Sequence, residues 1–91
     1  MTTDELRDLT IKQSEYARDR LDDFIAKGTS VGDDGYDAIM GALDLASNMI
    51  AYHLDSDTDG FMRYAPEIFN NHSVDGVCPE VYPIADTAWK D

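Results

Sequence analysis

The sequence predicts an all-α, mainly helical fold: an antiparallel helical hairpin, a short third helix, and an extended C-terminal segment packed on it. Three observations predict it. Apolar residues recur at three- and four-residue steps through residue 54, capping residues bound the two long periodic runs, and only a short glycine-rich stretch separates them. Ninety-one residues support one hydrophobic core, so residues 1–91 are expected to form a single domain.

The first helix is expected over residues 3–27. Thr2 and Glu5 fit a capping box, Asp4 and Glu5 suit the positive end of the helix dipole, and Gly28 is a natural stop. Leu6, Leu9, Gln13, Ala17, Leu21 and Phe24 form one face, widened by Tyr16 and Ile25. The linker runs from Gly28 to Gly35, and Asp33 or Asp34 can cap a second helix over residues 35–54. Its expected buried face is Ile39, Leu43, Ala46, Ile50 and Leu54, thickened by Tyr36, Met40 and Met49. Leu21, Phe24, Leu43 and Ile50 are therefore expected in the core.

Proline suits a first helical turn, so a third helix is expected from Pro66 to Asn71. Residues 72–91 lack helical period, yet Val74, Val77, Val81, Tyr82, Ile84 and Trp89 are too apolar for a free tail. A second copy of the chain is a further expectation, because two helices and a tail leave a thin core for Leu9, Phe24, Met40, Met49, Phe61 and Phe69 to share.

Nineteen acids against seven bases give a net charge of −12. The charge is uneven: residues 1–27 hold seven acids and five bases, a net of −2, whereas residues 28–91 hold twelve acids and only Arg63 and Lys90, a net of −10. Direct binding to nucleic acid or to anionic lipid is excluded by repulsion. The favoured partner is a basic protein, met by Asp33, Asp34, Asp37, Asp44, Asp55, Asp57 and Asp59. An acidic surface that merely solubilises an interaction or structural protein is the rival reading. Met1-Thr2-Thr3-Asp4-Glu5 offers neither a basic start nor an apolar stretch, so no secretory signal is expected. A lone Cys78 rules out an internal disulfide, and a cytoplasmic setting is the expectation.

In small size, negative helical surface and the Asp-rich stretch from Asp33 to Asp59, the chain resembles the acidic phage and mobile-element inhibitors of host defence. These are anti-CRISPR proteins and DNA-mimicking anti-restriction proteins. The resemblance is to a class and has no diagnostic motif. It implies a non-enzymatic inhibitor, acting in the host cytoplasm if phage-encoded. Such an inhibitor would present a DNA-like surface to a nuclease or nucleic-acid-binding complex, such as a CRISPR effector or restriction enzyme.

Asp55-Ser56-Asp57-Thr58-Asp59-Gly60 also matches the opening of an EF-hand loop, with oxygen ligands at positions one, three and five and glycine at six. The alternative function is thus calcium binding through Asp55, Asp57, Asp59 and Glu67. The match is degenerate, since position twelve is Pro66 and Glu67 comes one residue late. No other cofactor is implied. His53 and His72 share no ligand-type spacing. Asp19, Asp22, Asp23 and Asp37 invite a magnesium reading, but the paired Glu motifs of helical pyrophosphohydrolases are missing, with four Glu in all. Cys78 beside Pro79 has no basic neighbour in sequence to activate it. No catalytic signature emerges, and the expectation is a binding protein, not an enzyme.

Overall fold

The computed structural model describes residues 1–28, 34–72 and 74–84, and for Asp34 and Val74 the backbone alone. The fold is all-α, and no strand occurs among the described residues. Helix α1 spans Thr3–Lys27, α2 spans Asp34–Leu54 and α3 spans Thr58–Asn70, followed by a 3-10 turn at Val74–Gly76. No helix among the described residues is long and apolar enough to cross a membrane. Linker residues 29–33, Trp89 and the rest of 85–91 lie outside the described residues.

α1 begins and ends where its sequence signals put it. Thr2 accepts the Glu5 N–H while Glu5 accepts the Thr2 N–H, which completes the capping box. Gly28 closes the helix with φ 63° and donates its N–H to the carbonyls of Ile25 and Phe24, a left-handed conformation that costs other residues more. α1 and α2 pack antiparallel: Phe24 meets Tyr36 near the linker end, while Gln13 reaches Ala42 further along.

The buried face of α2 is the expected one only in part: Ile39, Ala46 and Met49 are buried as expected, but Ile50 and Leu54 are not. Ala38, Ile39, Ala42, Leu45, Ala46 and Met49 are buried, Leu43 is half-buried, and Ile50 and Leu54 are 40% and 75% exposed. Leu21 and Phe24 on α1 are likewise half-buried, and Ile25 is exposed. The inward phase follows the small residues Ala38, Ala42 and Ala46, which allow close backbone approach. Gly76 packs on this side, and a Cβ there would stand 3.0 Å from Ala42 N and 3.2 Å from the Ala38 carbonyl oxygen.

α3 starts eight residues earlier than expected, and Pro66 lies inside it. Asp57 caps the helix by accepting the Gly60 N–H at 2.8 Å, and Asp59 sits in the first turn. From there Phe61, Ala65, Ile68 and Phe69 turn inward together. An interior proline costs about 3 kcal/mol. Burying large apolar side chains stabilises by roughly 1.5–3 kcal/mol each, so Phe61, Ile68 and Phe69 outweigh it.

The C-terminal segment packs on the hairpin as expected, but through turns and not as extended chain. After the 3-10 turn, the Val81 and Tyr82 N–H groups both donate to the Cys78 carbonyl, at 2.9 and 3.0 Å. Val77, Cys78 and Val81 join Leu6, Leu45, Met49, Phe61 and Phe69 in the main core. Tyr52, Phe61 and Phe69 stack edge to face at 5.8 and 6.3 Å within it. Met49, Phe61 and Phe69 are thus fully buried within one chain, whereas Met40 is 46% exposed.

Candidate functional site

Helical phase aligns three of the predicted carboxylates. Asp37, Asp44 and Asp55 are seven and eleven residues apart, which brings them within about 20° of one line along α2. They are all exposed, and the Asp55 N–H still donates to the Ala51 carbonyl at 3.2 Å, so the helical path carries on to it. The steps along the axis are about 10 Å and about 16 Å. Asp57 and Asp59 lie at the start of α3, where Asp57 is engaged as its cap. Asp34 opens α2, its side chain is not among those described, and Asp33 lies outside the described residues.

Asp37 and Asp44 of this row border a shallow groove between α2 and the end of α3. One part, of about 500 Å³, is lined by Asp37, Met40, Gly41, Asp44, Asn71 and His72. It joins a second part, of about 260 Å³, through Asp44, Asn71 and His72, and that part adds Asn48, Tyr52, Tyr64, Glu67 and Ile68. Neither lining contains a Lys or Arg. The His72 ring is almost covered, with 4% of its side chain exposed, and its Nε2 lies 3.5 Å from Asp44 Oδ2. Gly41 lies beside that ring, and a Cβ there would meet His72 Nδ1 at 3.7 Å, an ordinary contact. Asn48 donates to the Asp44 carbonyl within the helix. Burial first, then the charges of Tyr64, Asp57 and Glu67, holds the Tyr52 phenol above its ordinary value.

Tyr64 and Asn71 are the part of this face that sequence reasoning missed, while Glu67 was assigned to the calcium loop and His72 was set aside as a metal ligand. Once α3 is started at Thr58, residues 64, 67, 68 and 71 fall on one helical face, so the cap at Asp57 was the signal that would have found them.

The calcium-loop residues do not form a coordination sphere. The segment that an EF-hand needs as an open loop is helical from Thr58, which turns Asp59 and Gly60 into a first helical turn and commits the Asp57 carboxylate to the Gly60 N–H. Among the described residues no three His, Cys, Asp or Glu side chains are grouped to hold a metal ion, so Asp55, Asp57, Asp59 and Glu67 are not brought together as ligands.

Cys78 in the C-terminal segment is buried, with its thiol donating to Glu80 Oε2 at 2.8 Å. Burial, and then that hydrogen bond, raises the thiol pKa, while the same bond lowers that of Glu80. A protonated, covered thiol is a poor nucleophile. Compared with protein-family models, curated proteins and solved structures, the chain matches none.

Proposed function

We propose that this chain is a non-enzymatic inhibitor that binds a basic nucleic-acid-handling protein through the acidic face of α2. The carrying observation is the alignment of Asp37, Asp44 and Asp55 along a rigid, exposed helix edge. Residues 34–72 carry seven carboxylates and one guanidinium, a net of −6, so few cations within this region offset the row. Short carboxylates on a helix lose little conformational freedom on binding, and a Lys/Arg groove built for phosphates would accept them in wet, salt-sensitive contacts. A CRISPR effector or restriction nuclease is the partner class this chemistry fits, with the host cytoplasm as the setting.

The test uses the triple variant Asp37→Asn, Asp44→Asn, Asp55→Asn. Asp57 is left intact because its carboxylate caps α3. The unmodified chain should retain a basic nucleic-acid-binding protein from a host lysate and release it to duplex DNA. The triple variant should retain at most a tenth as much. Equal retention by both proteins would mean that the acidic face only solubilises, and a captured partner that DNA cannot displace would end the mimicry reading.

A further inference from the structure

α2 carries a second feature beside its acid row. Tyr36, Met40, Leu43, Ser47, Ile50 and Leu54 alternate at four- and three-residue steps, the heptad spacing of a helix that packs along another helix. This stripe lies roughly opposite the inward Ala38, Ala42, Leu45 and Met49. Met40, Ile50 and Leu54 are 46%, 40% and 75% exposed, and Tyr36 and Leu43 are half-buried. Tyr36 meets Phe24 and Leu43 packs against Ala17, Ala42 and Ala46, so α1 covers one flank of the stripe, and Met40, Ile50 and Leu54 are the apolar side chains that meet solvent. Asp37, Asp44 and Asp55 run along one edge of the stripe, about 80–100° around the helix from it.

We infer that α2 docks a basic amphipathic helix of the partner, with apolar side chains on the exposed Met40, Ile50 and Leu54 and Lys or Arg residues along Asp37, Asp44 and Asp55. Charge complementarity selects this occupant. A second copy would bring another net −12 chain alongside, and in antiparallel pairing each acid row would face its own image. A cationic helix gains from the same row. From Met40 to Leu54 the stripe is about 21 Å long, enough for two heptads. This rests on the proposal that α2 is the partner-binding element, and it adds that apolar burial, not charge alone, holds the complex.

Three labelled peptides of three heptads each separate the cases by fluorescence anisotropy. One has Leu at both stripe positions and Lys along one edge, the second replaces Lys with Glu, and the third keeps Lys but has Ser in place of Leu. Only the first should bind. The double variant Ile50→Gln, Leu54→Gln should weaken it tenfold or more, and Asp37→Asn, Asp44→Asn, Asp55→Asn should do the same. Met40→Gln gives an independent reading at the other end of the stripe, and thermal melts matching the parent show that the fold is kept. If the Ser peptide binds as well as the Leu peptide, charge alone suffices: this inference fails and the mimicry reading stands. If the Leu peptide binds regardless of the triple Asn change, both fail. If the chain sediments as a dimer that Ile50→Gln, Leu54→Gln makes monomeric, a second copy covers the stripe and the basic-helix occupant is wrong.

Discussion

Gln13 is the polar residue on which the core turns. It is fully buried on α1, where its amide Nε2 donates to the carbonyls of Ala42 at 3.2 Å and Gly76 at 2.8 Å, and its Oε1 accepts the Cys78 N–H at 2.8 Å. One side chain thereby ties α1, α2 and the C-terminal segment together. Gln13→Ala would orphan a buried N–H and leave a cavity, and should cost about 2–4 kcal/mol by urea unfolding. Gln13→Glu is expected to be at least as damaging at neutral pH, since a carboxylate would face two carbonyl oxygens in a dry site. A stability change under 0.5 kcal/mol for both would show that the three bonds contribute little. The sequence marks Gln13 only as a member of an otherwise apolar face. Its partners lie 29, 63 and 65 residues away, which no local pattern reveals.

At the scale of elements, α1 was legible because its signals are local: Thr2, Glu5 and Gly28 fix both ends. The phase of α2 was legible only in part, through Ile39, Ala46 and Met49, which are buried as expected. Apolar residues occupy both of its sides, so the large side chains Leu43, Ile50 and Leu54 suggest one face, while Ala38, Ala42, Leu45 and Met49 occupy the core. Leu45→Ala should therefore cost about 2–5 kcal/mol and Leu43→Ala clearly less, in parallel denaturant titrations. The reverse order would restore the face suggested by the large residues. The onset of α3 was misread for a different reason. Asp57-Thr58-Asp59-Gly60 serves equally well as a calcium-loop opening or as a cap with its first turn, and Pro66 favours a helix start. Asp57→Ala should lower stability by about 0.5–2 kcal/mol, with or without added calcium. A loss seen only in the presence of calcium would return Asp57 to a metal-binding role. The acids of the row are visible in the sequence, but their placement beside Tyr64, Glu67 and His72 depends on where α3 begins.

For the whole molecule the dominant quantity is charge. The ion pairs at Arg7–Asp8, Arg18–Asp19 and Lys27–Asp23 are exposed, so each is worth little. The principal extents are 39, 24 and 18 Å. At about 0.01 M salt the Debye length is about 30 Å, longer than two of these, and at 0.15 M it falls to about 8 Å. Carboxylates across the molecule therefore repel one another at low salt and not at physiological salt. The melting temperature should rise between those two conditions, as followed by circular dichroism, while binding to a basic partner weakens. A melting temperature that falls with salt would mean that the few ion pairs outweigh the repulsion.

The Gln13 bonds also fix an order of events. Their span of 63 and 65 residues is most of the chain, and closing so long a loop is entropically late. The α1–α2 hairpin can assemble first from nearer contacts, with residues 76–78 arriving on a surface already formed. A bond made after the rate-limiting step leaves the folding rate alone and appears only in the rate of escape. Gln13→Ala should thus shift the unfolding arm of a chevron plot and hardly move the refolding arm, so the residue that fastens this small protein sets how long it stays folded, not how fast it gets there.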